Sequence, residues 1–461
     1  MKKSLLFTLA VTAGISTASA GVETTDYPTV DGLTCQNVWQ VSRVLDQTEY
    51  GTMPYAAYNN KARTLAVKDG RILLAESPTI SDGETSNDYG RIVIFDLATG
   101  KYEKTVQITV DGKPLTGLLC ANQIGVDDFG NVWVTGVVGD ASKRPFVIYH
   151  IKDVDTGEAE IAASLSIPED EEVMETRHDY YDLVGDVTGK QAGTVFMTPA
   201  APVSGATLKA YSYVFGFKRE QGGEWQPHMT DGEYYSSVYD DTYPEGQATW
   251  DGAPMLRIVR DEDHSGSLFY VDAFTTHPTL YNNSGALLES FRSCPELAPA
   301  TVNVNGVNEF AFGDDHYLTY TLDDAGTSLR SQIRVCKLGA EGSFEGMSLL
   351  WDLPKNGLGD MRDAGTRAFA QEPVVRMDAN GKYGCYLVIF KPNNGMAVYR
   401  IAQEGWIDTI GGIDDVTADV IDTNAPVEYF DIRGTRIDPD NAAAGIYIRR
   451  QGAHVSKLII K

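Results

Sequence analysis

The sequence predicts an all-β protein: a β-propeller, read as six four-stranded blades, followed by a small C-terminal β module. Three observations predict it. One hairpin pattern returns six times between about residues 60 and 405. Each return is followed by further alternating, aromatic-rich runs, and long helical periodicity is absent throughout. Blocks of four short strands at regular spacing are what a propeller needs, whereas a pair of β-sandwiches or a β-solenoid, the alternatives, does not produce them.

The leader is read first, because it leaves before folding. Lys2 and Lys3 form a basic start, Leu5 to Ile15 is a short apolar stretch, and Ala18-Ser19-Ala20 supplies a small-x-small cleavage pattern. Residues 1–20 are therefore expected to be a signal peptide cut before Gly21. The apolar run is too short to span a bilayer comfortably, and no Cys stands at the cut for lipid attachment. No span is expected in the rest of the chain. The expected location is secreted, or on the outer-membrane surface of a diderm bacterium.

The propeller is assigned to residues 21–405. Its hairpins read TLAVKDGRILLAE from Thr64, IGVDDFGNVWVTG from Ile124, and YDLVGDVTGKQAGTVFM from Tyr181. The others are LRIVRDEDHSGSLFYV from Leu256, FAFGDDHYLTYTL from Phe310 and VVRMDANGKYGCYLVIF from Val374. Gly70, Gly130, Gly189, Gly266, Gly313 and Gly381 stand at the turns, as hairpins joined by Asp-Gly and Asp-x-x-Gly require. Third strands follow at Gly90–Leu97, Phe146–Ile151, Leu208–Phe217, Pro278–Asn282, Gln332–Leu338 and Met396–Ile401. Fourth strands follow at Lys104–Val110, Glu160–Ile167 and Met347–Leu353. The sixth unit shows only three. Asn37–Val44 alternates cleanly before the first unit and is expected to supply its fourth strand, closing the ring without an exposed edge.

Charge and cysteine usage narrow the function. The chain carries −26 overall, with 64 acidic side chains against 38 basic, and loses two more positive charges with the leader. Binding to nucleic acid is excluded by that balance, since phosphates need Lys and Arg. Cys35, Cys120, Cys294, Cys336 and Cys385 are scattered, odd in number and without a CxxC pair. At most one bridge is compatible with them, and isolated buried thiols are the expectation.

No nucleophile elbow, zinc-protease helix, phosphate loop or dinucleotide fingerprint occurs. Seven histidines stand singly, as satisfied structural residues do. The candidate site comes from geometry instead. Innermost strands begin on the face that carries the inter-blade loops and line the channel. Arg63, Asn122, Asp182, Arg257, Asn308 and Arg367 occupy those starts. Such a ring suits an anionic or polyhydroxylated ligand, or else loop backbone and channel water. The longest inter-blade loop, about 229–252, adds Tyr235, Tyr239 and Trp250 among several carboxylates, a composition that stacks on sugar rings or packs the loop down. The leading expectation is a non-catalytic propeller that binds a glycan or protein ligand.

One metal loop is weighed. Asp261, Asp263 and Ser265, with Asp272 at position twelve, follow the oxygen-ligand spacing of a calcium loop. Calcium is the one cofactor the sequence raises; otherwise none is expected. The run lies in a hairpin, where acidic turns are common without metal.

Residues 406–424 read as a linker and 425–461 as three short strands. Within them stand Tyr429-Phe-Asp-Ile-Arg-Gly434, then Ala444-Gly445-Ile-Tyr447-Ile448, then Lys457-Leu-Ile-Ile-Lys461 at the terminus. This pattern resembles the C-terminal sorting domain of the type IX secretion system of Bacteroidetes bacteria. The resemblance implies the type IX export machinery as a partner, with passage across the outer membrane and surface attachment or release. Blade texture such as Asn122–Trp133 also resembles gluconolactonase-like and NHL-type propellers. That resemblance implies an alternative: a metal-dependent lactonase, lyase or glycan-processing enzyme on the same face. Of its metal-binding pattern only Asp182 and Asn122 or Asn308 are matched.

Overall fold

The computed structural model describes residues 27–42, 61–81, 86–167, 176–202, 212–229, 235–238, 254–261, 263–273, 276–299, 306–322, 331–359, 369–408, 427–430, 436–437, 445–451 and 454–460. Among them are strands, turns and two single 3₁₀ turns, at Pro295–Leu297 and Ala340–Gly342, with no α-helix. No helix among them is long and apolar enough to cross a membrane.

Six antiparallel sheets follow one another as propeller blades. From the inside outwards, blade one is Thr64–Lys68, Arg71–Glu76, Arg91–Asp96 and Tyr102–Gln107. Blade two is Gln123–Val126, Val132–Thr135, Phe146–Asp153 and Glu158–Leu165. Blade three is Asp182–Gly185, Thr194–Pro199 and Ser212–Arg219, its outer edge covered by two pieces, Gln226–Pro227 and Tyr235–Val238. Blade four is Met255–Ile258, Leu268–Ala273, Thr276–Asn282 and Leu287–Glu289. Blade five is Val307–Phe312, Asp315–Thr321, Ile333–Lys337 and Ser348–Leu353.

Blade six takes three strands from the end of the ring and one from its start. Ala370–Met377, Tyr383–Lys391 and Gly395–Gln403 are joined on the outside by Leu33–Ser42, with Leu33 opposite Gln403 and Ser42 opposite Gly395. This is the closure expected from the alternation after Asn37. The strand begins four residues earlier than the sequence suggested and bulges between Asn37 and Trp39.

The turn chemistry explains why the pattern repeats. All six glycines singled out at the hairpins have positive φ, from +60° at Gly266 to +79° at Gly130. A side chain at Gly266 would also meet Val195 Cγ1 at 2.6 Å, so this turn requires glycine for space as well as conformation. Apolar clusters then fill the blade junctions. Ile92, Ile94, Ile124 and Val134 join blades one and two, and Phe146, Tyr181, Phe196 and Phe217 join two and three. The seam between blades six and one is marked by Trp39, 3% exposed, whose Nε1 donates to Leu97 O at 2.7 Å.

One strand end departs from expectation. The first unit's fourth strand stops at Gln107 rather than Val110, and Thr109–Val110 crosses to pair in parallel with Glu158–Ala159 of blade two. The close approach is possible because residue 157 is glycine: a Cβ there would lie 2.2 Å from Gln107 O.

All five cysteines are buried, and Cys120, Cys294, Cys336 and Cys385 are free thiols. The chain divides into two compact units, residues 1–407 and 408–461. Trp406, where the sequence reading starts the linker, is 5% exposed and stacks under the Arg400 guanidinium at 4.9 Å. The second unit holds a three-stranded antiparallel sheet of Val427–Phe430, Gly445–Gln451 and His454–Ile460.

Candidate functional site

The two faces of the ring are unequal. On one, the first and second strands of each blade are joined by short hairpins, such as Asp69–Gly70 and Gly313–Asp314. The other carries every connection between blades, including those between Gln107 and Gln123 and between Leu165 and Asp182. Each innermost strand starts there. Five of the six ring residues named from the sequence lie among the described residues and sit at or near those starts; Arg367 lies outside them.

The structure sorts these five into two groups. The first gathers around Asp179, just before the inner strand of blade three. Arg177 grips its carboxylate in a fork, Nε to Oδ2 at 2.8 Å and Nη2 to Oδ1 at 2.7 Å. Arg63 of blade one stands further off, its Nη1 3.9 Å from Oδ1. Asn122 of blade two donates from Nδ2 to the Asp179 carbonyl at 2.5 Å. The Thr64 hydroxyl, next to Arg63, donates to the Asn122 carbonyl at 2.8 Å. The Arg63 guanidinium also reaches the Tyr180 hydroxyl, which burial pushes up to about 12.

The second group ties blades three to six together across the channel. Arg257 of blade four lies 3.6 Å from Asp182 Oδ1 of blade three and donates to Glu372 Oε2 of blade six at 3.1 Å. Asp182 is fully buried and takes three more bonds, from Leu183 N at 2.9 Å, Ile258 N at 2.8 Å and Arg260 Nη2 at 3.0 Å. Asn308 Nδ2 of blade five donates to the Gln371 carbonyl at 2.8 Å. Gln371 Nε2 in turn donates to Gly306 O at 2.7 Å, and Gly306 N donates to Asp272 Oδ2 at 2.7 Å.

Three carboxylates here were not anticipated as members of the site, Asp179, Glu372 and Asp272, nor were Arg177, Tyr180, Arg260 and Gln371. Burial raises the Glu372 carboxyl above its ordinary value despite Arg257 and Arg260 nearby. Burial also raises Asp272 to about 7, the backbone N–H groups of Gly306 and of Asp272 itself offsetting only part of the lost hydration. Buried acceptors without a hydrogen-bond partner recur on this side of the ring: Asn122 Oδ1, Asp272 Oδ1 and Gln371 Oε1. Such atoms are rare in folded proteins and call for water or a ligand.

The other candidates are placed as follows. Asp261 Oδ1 accepts from Ser265 N at 2.9 Å, and the Ser265 hydroxyl bonds Asp261 Oδ2, closing the hairpin on itself. Asp263 lies in the same turn. Asp272 is not brought to them: it stands near the far end of the second strand, opposite Met255. Among the described residues no three His, Cys, Asp or Glu side chains converge as metal ligands. Tyr235 belongs to a strand pairing with Phe215, while Tyr239 and Trp250 lie outside the described residues.

Six histidines have described side chains, and each has a protein partner. His178 sits between Thr198 Oγ1 and Thr176 Oγ1 at 3.0 and 3.1 Å, and burial drops it to about 3, so it stays neutral. His264 pairs with Asp128 at 2.7 Å and His316 with Glu309 at 2.6 Å. His150, His228 and His277 bond Glu160, Gly266 O and Pro299 O.

No family profile matches the sequence, and no curated protein does. Among solved structures, the chain is similar to a Penicillium chrysogenum α-L-arabinanase complexed with arabinobiose, at 12% identity, covering 77% of this chain and 97% of that one, with a TM-score of 0.43. It is also similar to a Fusarium graminearum α-L-arabinofuranosidase in complex with an iminosugar inhibitor, at 10% identity, 75% and 95% coverage and 0.42. The apo-form of the soluble aldose sugar dehydrogenase of Escherichia coli matches at 9% identity, 80% and 99% coverage and 0.35. At these values no residue role is carried over from any of them.

Proposed function

We propose that the protein is an exported carbohydrate-binding propeller that takes its ligand on the face carrying the inter-blade connections. The observation that carries this reading is the set of three buried acceptors without donors on this face, Asn122 Oδ1 and Gln371 Oε1 at inner-strand starts and Asp272 Oδ1 opposite one. Sugar hydroxyls are donors that could meet such acceptors, and each acceptor is costly if left dry. A protein ligand fits less well, because the side chains gathered there are Arg, Asn, Asp, Gln and Glu rather than a continuous apolar patch.

A second reading, glycan processing on this face, is favoured by two carboxyls that burial raises, Asp272 and Glu372. A carboxyl that holds its proton near neutrality is suited to general acid catalysis. The same assay separates the readings. Purified residues 21–461 are titrated with a panel of neutral and acidic oligosaccharides by calorimetry, and the mixtures are then analysed for shortened products. Binding without products supports the first reading, and products support the second. No binding to any saccharide overturns both.

Export is proposed on the sequence alone: residues 1–20 as the leader, and residues 425–461 as an address for type IX secretion, ending at the cell surface. Tyr429 lies in the first strand of the C-terminal sheet, and Gly445, Tyr447 and Lys457 lie in the other two. Gly434 and Lys461 lie outside the described residues.

A further inference from the structure

We infer that the junction of blades one to three is a subsite for the carboxylate of an acidic sugar, a uronic acid within a short oligosaccharide. The inference rests on the proposed carbohydrate-binding role and specifies its ligand class.

The argument begins with an unequal division of charge. Two guanidiniums, Arg63 and Arg177, face one carboxylate, Asp179. Arg177 already occupies both oxygens of that carboxylate in a fork, at 2.8 and 2.7 Å. Arg63 is left at 3.9 Å, beyond hydrogen-bond distance, and its buried Nε has no acceptor. With the Tyr180 hydroxyl as its other neighbour, a guanidinium 83% buried by side chain thus shares one distant carboxylate with Arg177, and a ligand carboxylate would complete its fork. Arg presents its donors in a planar fork that matches a carboxylate bidentately.

A second observation points to the rest of the ligand. Asn122 is completely buried, and its amide orientation is set, because Nδ2 donates to Asp179 O at 2.5 Å. Its Oδ1 is therefore fixed as an acceptor, and it has no donor. Asn122 and Arg63 are held together by the Thr64 hydroxyl, which donates to Asn122 O at 2.8 Å and accepts from Ile124 N at 3.1 Å. One guanidinium that shares its carboxylate and one acceptor without a donor thus sit on adjacent inner-strand starts. A uronic acid ring carries a carboxylate and hydroxyls within that reach. Across the channel the charges balance differently: Arg257 and Arg260 are matched by Asp182 and Glu372, so no anion is called for there.

The overall charge limits ligand length. A chain at −26 repels a long polyanion, so the fit is to oligomers with one or a few carboxylates.

The test uses residues 21–461 with three probes: trigalacturonate, its neutral counterpart galactotriose, and a sulfated disaccharide. The expected result is preferential binding of trigalacturonate, weakened by about tenfold in Arg63→Gln with galactotriose affinity unchanged. Arg63→Lys, which keeps the charge but not the fork, should recover only part of the loss. Equal binding of trigalacturonate and galactotriose overturns the inference while leaving the carbohydrate reading intact. So does equal weakening of both probes by Arg63→Gln, or a preference for the sulfated probe. Failure of all three probes, with neutral sugars of other types still binding, has the same consequence. Failure of every saccharide removes the underlying reading as well. A thermal melt of each variant identifies one that has not folded; Asn122→Asp then serves instead, placing a carboxylate beside Arg63 and lowering trigalacturonate affinity.

Discussion

Arg257 and Glu372 meet across the propeller channel at 3.1 Å, joining innermost strands of blades four and six that are separated by 115 residues of sequence. Asp182 completes the tie from blade three, at 3.6 Å from the same guanidinium. A residue expected at a solvent-filled mouth is thus a cross-channel brace. Arg257→Ala should break the Glu372 ion pair and strip one of two from Asp182. Loss of one member of a buried pair costs on the order of 3 kcal/mol, discounted here for partial exposure of Glu372. Denaturant unfolding should show this loss. Arg257→Ala combined with Glu372→Gln should lose less than the sum of the single changes, because the pair then leaves together. Additive losses would mean that the two residues do not interact.

Trp39 and Gly100 make the ring closure testable. Gly100 has φ +67°, and a Cβ there would approach the Trp39 ring at 2.7 Å. Gly100→Ala should therefore push the closing strand off blade one as well as strain the turn, costing about 1–3 kcal/mol. Trp39→Phe should cost about 1 kcal/mol through the bond to Leu97 O, together with lost packing. Thermal melts of both variants check this. An unchanged melt for Gly100→Ala would mean that the Trp39 indole does not lie over residue 100.

Much of the fold was legible because its signals are local. Each hairpin announces itself through a turn glycine between two apolar runs, and the closing strand through alternation after Asn37. The two outer pieces of blade three and the parallel crossing of Thr109–Val110 carry no such signal. The crossing depends on a close backbone approach at Gly157, which nothing near Thr109 in sequence encodes. The candidate site was legible by position but not by role. Asn122, Asp182 and Arg257 stand at or near inner-strand starts, yet their partners Asp179, Arg260 and Glu372 come from strand registers between blades. Spacing misled at Asp272 for a related reason. A calcium loop must curl its twelfth residue back to the first, whereas an extended strand carries Asp272 away from Asp261 toward Gly306.

Asp272 gives stability a defined pH dependence. Its folded carboxyl titrates near 7, against an ordinary 3.8, because burial disfavours the charged form. Below pH about 4 both folded and unfolded chains hold this proton, and its stabilising contribution is complete. As pH rises toward 7 the unfolded chain releases the proton while the folded one keeps it, so that contribution drains away. Glu372 acts in the same direction. Asp88, Asp186 and Asp378 act oppositely, since their lowered values remove stability only as pH falls below the ordinary carboxylate range. Between pH 5 and 8 the melting temperature should fall with rising pH through this site. Asp272→Asn keeps an acceptor for Gly306 N and should flatten that slope; a slope unchanged by the substitution would assign it elsewhere.

The tail separates address from fold. Residues 408–461 form a compact unit of their own, and the propeller's described core lies upstream, with Trp406 buried on the last blade. Deleting residues 425–461 should therefore leave the propeller melt within about 2 °C of the full chain, because no blade loses a strand. Location should change instead. With residues 1–20 intact, the truncated chain should still cross the inner membrane of a type IX-secreting host and then accumulate in the periplasm. Protease added to whole cells checks the second half: the full chain should be cleaved and the truncated chain protected. A truncated chain that reaches the surface normally would remove the sorting role from Tyr429, Gly434, Gly445, Tyr447, Lys457 and Lys461. A truncated chain that no longer melts cooperatively would show instead that the three C-terminal strands support the blades.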